Sequence, residues 1–252
     1  MKVAVIIPAA GLGTRMAPAP SAKLKIPSKQ FTELGGTPIL VHTLRKFSAS
    51  PRVTEILVAL RKDEIPGFRE RLQSEGPHEK KVELVEGGEH RQQSVANALA
   101  VISAADDDIV LVHDAVRPFV TPEIIEEVIR GAEKFGAAIA GFPAVDTIKK
   151  VERTSDGALI TATIPREHVV MAQTPQGFRY HVLKRAFDEA LADGFMGTDE
   201  ASLVERSGHQ VAVVMGSPRN IKITTPGDME LAEFYLRDHA RARTAGKDEK
   251  AS

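Results

Sequence analysis

Cysteine is absent from the 252-residue chain. That excludes disulfides, thiolate metal sites and thiol nucleophiles together, and it suits a reducing compartment. An excess of either charge is missing as well, because 33 Lys and Arg stand against 34 Asp and Glu, a formal net charge of -1. No whole-molecule field is available to concentrate a polyanion, so nucleic acid is not expected as a partner and any phosphate ligand has to be met by local cations. Long apolar runs are missing too, and nothing approaches a membrane span. Before Pro8 there is one lysine and six apolar residues, too short a stretch for the apolar core of a signal peptide. The expectation is a cytoplasmic protein without membrane contact.

What is present is an ordinary globular composition, 42% hydrophobic and 27% charged, enough to bury a substantial core in one domain. Apolar runs of strand length recur at Val3 to Ile7, Glu55 to Leu60, Val82 to Val85, Ile109 to Val112, Ala137 to Phe142 and Val211 to Met215, with helical-period stretches between them. Fully apolar strands alternating with helices predict an α/β fold, a doubly wound and mostly parallel sheet covered on both faces. Thr121-Pro122-Glu123 opens one helix and Gly136 closes it; Thr225-Pro226 with Asp228 opens the last. Asp146 to Arg166 breaks the rhythm, with two strand-like arms about Ser155-Asp156-Gly157. It reads as a β-hairpin inserted in the sheet, either docked on another body such as a second subunit or a plain surface excursion. The domain is expected over residues 1–240, with the hairpin at about 144–168 and a disordered tail over 241–252, where no apolar residue is larger than alanine.

Chemistry concentrates at the carboxyl ends of the expected strands, where open α/β sheets bind ligands. The first strand runs into Pro8-Ala9-Ala10-Gly11-Leu12-Gly13-Thr14-Arg15-Met16, whose glycines let backbone amides approach phosphate oxygens while Arg15 adds a forked cation. Taken alone, such a turn is equally well a tight connection. Met16 stands where a dinucleotide fingerprint needs a small residue, which disfavours a nicotinamide oxidoreductase. Three lysines follow, Lys23, Lys25 and Lys29, as phosphoryl or nucleotidyl transfer requires, although lysines on a loop are also simply well solvated. After the fourth strand comes His113-Asp114-Ala115-Val116-Arg117-Pro118, with an acid able to hold a metal or a hydroxyl, or to form a local ion pair, and an arginine able to grip phosphate.

These motifs fall in an order with others: Lys29-Gln30, Gly87-Gly88, Arg91 to Ser94, Asp146-Thr147, Thr174-Pro175-Gln176, Thr198 to Ser202 and Asn220 to Thr224. In that order the chain resembles the 2-C-methyl-D-erythritol 4-phosphate cytidylyltransferase family over residues 3 to about 238. The resemblance implies a Rossmann-like nucleotidyltransferase fold and a reaction in which the acceptor phosphate attacks the α-phosphorus of CTP, with Mg²⁺ bound mainly through the CTP phosphates and no protein metal ligand assigned. It further implies Arg15, Lys29 and Lys222 as catalytic cations. CTP would contact Ala9, Ala10, Gly11, Gly13, Gly88, Ser94 and Asp114. The acceptor would contact Asp114, Arg117 and Thr174, with Thr147 and Arg166 reaching from the partner of a homodimer.

Thr198 is a second-tier residue, because a threonine cap on the following helix explains it equally well. Lys222 has an alternative as a solvent-facing residue between Ile221 and Ile223 in a strand-like stretch. The interval from Arg15 to Lys29 is longer than the family pattern and Ser28 replaces its proline, so Lys23 and Lys25 stay in competition with Lys29. A cytidylyltransferase for another polyol phosphate, such as ribitol 5-phosphate, and a nucleotide-binding regulatory dimer are the other readings.

Overall fold

The computed structural model describes residues 1–11, 28–74 and 80–248, with side chains to 238. The elements run β1 (Val3–Pro8), β2 (Glu33–Leu34), β3 (Thr37–Pro38), α1 (Ile39–Ser48), β4 (Glu55–Leu60), α2 (Ile65–Ser74), β5 (Lys81–Glu86), α3 (Arg91–Val101), β6 (Ile109–Val112), α4 (Pro122–Phe135) and β7 (Ala137–Pro143). They continue with β8 (Ile148–Thr154), β9 (Gly157–Ile164), β10 (Val170–Arg179), α5 (Tyr180–Ala192), α6 (Glu200–Arg206), β11 (Ala212–Met215) and α7 (Pro226–Asp248).

Seven strands form one sheet in the order β11-β7-β10-β6-β1-β4-β5. Only β10 runs against its neighbours, β6 and β7; every other adjacent pair is parallel. The inner strands β1, β4 and β6 are apolar on both faces because both faces are covered, whereas the edge strands β5 and β11 are partly exposed. On one side Val5, Ile7, Val58 and Leu111 pack with Leu44 and Phe47 of α1 and with Ile125, Val128 and Ile129 of α4. On the other, Ile6, Leu57, Val110 and Val112 meet Val95 and Leu99 of α3, Leu183 and Phe187 of α5, and Leu203 of α6. Successive residues of one strand thus feed opposite cores, the two-residue period of an extended chain.

The helix ends are held as their sequence suggests. The Thr121 hydroxyl accepts from the Ile124 amide, and Gly136 closes α4 with φ +85°, a conformation that costs glycine no side-chain clash. At α7 the Asp228 carboxylate accepts from the amides of Thr224 and Thr225. That helix continues to Asp248, past residue 240, where composition alone ended the domain.

Three details differ from the sequence expectation. The hairpin β8–β9 is a separate two-stranded ribbon and makes no ladder with the main sheet. The stretch around Lys222 is irregular, so the strand-like alternation of Ile221 to Ile223 does not become a strand. The long strand β10 has no counterpart among the predicted strands. Its sequence holds Pro175 and Gly177, and its pairing with β7 shifts register between Ala172 and Gln176, where a proline is tolerated.

Candidate active site

Several segments converge at the carboxyl ends of β1 and β6. After β1, Ala9 is fixed by the hydrogen bond its N–H donates to the Ala59 carbonyl, 2.7 Å. The Gly87-Gly88 turn after β5 lies directly against it: a Cβ on Gly87 would stand 2.5 Å from Ala10 Cβ and 3.0 Å from Ser94 Oγ, so only glycine allows that approach. Ser94, buried in the first turns of α3, accepts from the Gly88 amide at 3.0 Å and donates to the His90 carbonyl at 3.1 Å. Pro8 to Gly11, Lys29, Gly88, Ser94, Asp114 and Lys222 line one cleft. An adjoining cleft is lined by Asp114, Arg117, Gln173, Thr174, Thr198 and Lys222. Asp114, Lys222 and Arg91 belong to both.

Asp114 is the hub. The residue is 6% exposed and its carboxylate meets three cations: Arg91 Nε at 3.1 Å on Oδ1, and Arg117 Nε at 3.2 Å and Lys222 Nζ at 2.9 Å on Oδ2. Burial alone would raise the Asp114 carboxyl, but Arg91, Lys222 and Arg117 together hold it well below the usual carboxylate range. Arg91 in turn is gripped from behind by Glu200, with Nη1 2.7 and 2.9 Å from the two oxygens of a carboxylate that is 1% exposed. Burial pushes the Glu200 carboxyl up, with Arg91 opposing, while Glu200 and Asp114 hold the Arg91 guanidinium firmly charged against its own burial. Asp114 thus gathers three cations where the clefts meet, Lys29 lines the first cleft, and Glu89 and Asp199 add a carboxylate to each lining. Such a site suits an anion whose charge grows during reaction.

The second cleft has its own scaffold. Arg117 Nη1 donates to the Asn220 carbonyl at 2.7 Å, and Asn220 Nδ2 donates to the Thr174 carbonyl at 2.8 Å. Lys222, two residues beyond Asn220, pairs with Asp114 at 2.9 Å while 39% of its side chain stays exposed, so it does not merely face solvent. Gln176 on β10 donates to Asp199 at 2.8 Å and accepts from the Ala201 amide. Asp199, not Thr198, caps α6: its carboxylate accepts from the Ser202 amide, and the Ser202 hydroxyl completes a capping box. The capping explanation of Thr198 falls with that, and Thr198 lines the second cleft.

Thr147 and Arg166 line neither cleft of their own chain. Both are exposed at the base of the hairpin, where Arg166 Nη1 donates to the Val145 carbonyl at 2.8 Å. Gly13, Arg15, Lys23 and Lys25 lie outside the described residues. Sequence reasoning gave no role to Arg91 or Glu200, although both sit inside quoted motifs. A signal was available for the first: an arginine at the opening position of a helix is disfavoured by the helix dipole and therefore calls for acidic partners. Glu200 carried none, because an acid in a helix's first turn is commonplace.

A profile of the 2-C-methyl-D-erythritol 4-phosphate cytidylyltransferase family matches residues 3–238. The protein of that name from Acidobacterium capsulatum is 59% identical over 240 residues, 95% of this chain and 99% of the relative. The one from Solibacter usitatus is 54% identical over 97% and 99%. Among solved structures, a 4-diphosphocytidyl-2C-methyl-D-erythritol synthase from Anaerococcus prevotii superposes with a TM-score of 0.78 at 30% identity, covering 94% of this chain and 98% of that one. The 2-C-methyl-D-erythritol 4-phosphate cytidylyltransferase of Thermus thermophilus gives 0.72 at 34% identity, over 94% and 100%.

His113 locks the loop that carries Asp114. It is fully buried, its ring edge-on to Phe47 with centroids 4.8 Å apart. Nε2 faces the Arg117 carbonyl at 3.1 Å and so carries a proton, and Nδ1 lies 3.1 Å from Thr174 Oγ1, which accepts from the Asp114 amide at 3.0 Å. Burial pushes the imidazole down to about 4 from an ordinary 6.5, which keeps the ring neutral with Nδ1 accepting from the Thr174 hydroxyl. The unfolded chain takes up this proton as pH falls through 6.5 and the folded chain only near 4, so the contribution to stability is full above 6.5 and is lost progressively below it. Urea unfolding should therefore show about 2 kcal/mol more loss between pH 7.5 and pH 5 in the parent than in His113→Gln. Parallel loss in both proteins would mean that His113 does not stay neutral in the fold.

Proposed function

This chain belongs to the 2-C-methyl-D-erythritol 4-phosphate cytidylyltransferase family, and on that premise we propose how its own residues carry out the reaction. The enzyme transfers CMP from CTP to 2-C-methyl-D-erythritol 4-phosphate, giving 4-diphosphocytidyl-2-C-methyl-D-erythritol and pyrophosphate. An oxygen of the acceptor phosphate forms a bond to the α-phosphorus as the bond to the bridging oxygen breaks, and that oxygen's electron pair leaves with pyrophosphate. The nucleophile is already an anion, so no general base is needed; alignment and charge neutralisation are. The observation that carries this reading is the sharing of Asp114, Arg91 and Lys222 by two adjoining clefts. Two phosphates that must meet have one place to do so, in front of Lys222.

In this account the backbone of Ala9, Ala10, Gly11 and Gly13 receives the triphosphate, Gly88 and Ser94 face cytosine, and Asp114 borders both substrates. Arg117 and Thr174 hold the acceptor, with Thr198 beside them. Arg15, Lys29 and Lys222 neutralise the charge that develops on the α-phosphate and the leaving group. Enzymes of this family use CTP together with a divalent metal. Among the described residues no group of three or more His, Asp or Glu side chains could hold one, and Asp114 is committed to three cations. These residues fit a metal that arrives on the triphosphate, for which we assign Mg²⁺; when bound it screens the phosphates and favours departure of pyrophosphate.

Residues 1–240 form the catalytic domain in this reading, and the hairpin of about 144–168 is a dimerisation arm. Support comes from its apolar surface: Val151, Leu159 and Ile160 are 47%, 65% and 64% exposed on a two-stranded ribbon, which is marginal in water by itself. A homodimer would also bring Thr147 and Arg166 to the acceptor cleft of the other subunit. We place the enzyme in the cytoplasm, where CTP is supplied; no described helix is long and apolar enough to cross a membrane. Ribitol 5-phosphate is not favoured as acceptor, because the relatives at 59% and 54% identity carry the methylerythritol name.

Pyrophosphate release with CTP and Mg²⁺ should occur with methylerythritol 4-phosphate and stay at background with ribitol 5-phosphate or no acceptor; release with ribitol 5-phosphate alone would overturn the substrate. In the same assay Lys29→Ala should lower kcat by about 100-fold or more, and Lys25→Ala should leave it within a few-fold. The reverse pattern would move the catalytic role to Lys25.

A further inference from the structure

The turn that presents Lys29 is held by a carboxylate that none of the recognised motifs contains. Lys29–Phe31 is a single 3₁₀ turn, and both neighbours of Lys29 are buried, Ser28 at 8% and Gln30 at 4% exposure. Ser28 donates a short hydrogen bond to Glu64 Oε1 and accepts one from Arg61 Nη2 at 3.0 Å; the same Nη2 lies 2.7 Å from Glu64 Oε1, closing a triangle. On the other flank Gln30 Nε2 donates to the Ala9 carbonyl at 2.6 Å and stands 3.4 Å from Glu64 Oε2. One carboxylate thus reaches both neighbours of Lys29, an oxygen for each, and Gln30 passes the registration on to the phosphate-binding turn. Phe31 finishes the dock against Phe68 of α2, ring centroids 5.7 Å apart.

The backbone explains why such a clamp matters. Ser28 has φ -55° and ψ 142°, the dihedrals that a proline ring favours, but serine is free to leave them. Without a covalent lock the angle is kept by what the hydroxyl binds. Lysine has a long flexible stem, so the position of its ammonium depends on a fixed backbone beneath it. Glu64 can do this at low cost, because Arg61 balances its charge and its side chain is only 10% exposed, away from bulk competition.

We propose that Glu64, with Arg61 as its counter-ion, is a positioning residue for the reaction. It fixes the Lys29 turn through the Ser28 hydroxyl and registers it against Ala9. The inference rests on the reading of Lys29 as a catalytic cation. A merely structural Glu64, serving only to brace the start of α2, would act independently of the residue at position 28, and the experiment is built on that difference.

Steady-state pyrophosphate release is measured for Glu64→Gln, Ser28→Ala and their combination, and for Glu64→Gln again in a Ser28→Pro background, all well below the melting temperature of each protein. Glu64→Gln is expected to lower kcat by about 10- to 100-fold, as a small misplacement of a catalytic group does, with KM for CTP changed less than about threefold. Adding Ser28→Ala to it should lower kcat no further, and in the Ser28→Pro background the effect of Glu64→Gln should shrink to less than about threefold, whatever Ser28→Pro does alone. Multiplying effects of Glu64→Gln and Ser28→Ala, an undiminished loss in the proline background, or an unchanged kcat in Glu64→Gln would each overturn the proposal. Lys29→Ala run alongside separates the two failures: a Lys29→Ala enzyme at parent rate sinks the role of Lys29 itself, whereas an inactive one with multiplying Glu64 and Ser28 effects sinks the clamp alone.

Discussion

A buried carboxylate surrounded by three cations organises this molecule. Asp114 cannot be ionised at 6% exposure without counter-charges, and it has Arg91, Arg117 and Lys222 within 3.2 Å. Each comes from a different part of the chain: the opening of α3, the loop after β6 that carries Asp114 itself, and the irregular segment before α7. Removing Asp114 would leave three positive charges facing one another at the ends of the sheet. The buried pair of Arg91 with Glu200 and the neutral His113 are secondary to the same requirement, one steadying a cation and the other the backbone beneath the acid.

The placement of the cations is what turns a structural cluster into a site. Arg91, Arg117 and Lys222 gather on one buried carboxylate where two clefts meet, and the amide-rich turns at Ala9 to Gly11 and Gly88 border one of them. Phosphoryl-type transfer asks for positioning and electrostatics more than for proton movement, which is what clustered cations and amide-rich turns offer. The hairpin extends the same logic outward. Thr147 and Arg166 line neither cleft of their own chain, and the ribbon between them leaves Val151, Leu159 and Ile160 exposed.

Much of this was legible in the sequence, and for a physical reason. Strands buried on both faces, such as Val3 to Ile7 and Ile109 to Val112, stand out as continuous apolar runs, and Thr121-Pro122 with Gly136 marks a helix at both ends. Asp114, Arg117 and Lys222 were accessible through the order of motifs. The strand β10 was not, because Pro175, Gly177 and two glutamines hide an antiparallel strand whose middle is a bulge. Nor was the pairing of Arg91 with Glu200, since 109 residues separate them and charge alone does not specify a partner. The cap of α6 reads one residue early, at Thr198, where either residue type is a good cap and only geometry selects Asp199. Glu64 illustrates the limit best: nothing in Arg61-Lys62-Asp63-Glu64 distinguishes it from any charged surface turn, and its importance comes wholly from what the fold brings beside it.

The most direct test of this account is kcat for Asp114→Asn with CTP, Mg²⁺ and methylerythritol 4-phosphate all saturating. The substitution keeps the shape of the side chain and removes the charge that gathers the three cations. With the cations no longer gathered, kcat should fall by about 100-fold or more in a protein that still folds. A kcat within about threefold of the parent would contradict it, and would mean that Lys222, Arg91 and Arg117 find their working positions without the carboxylate.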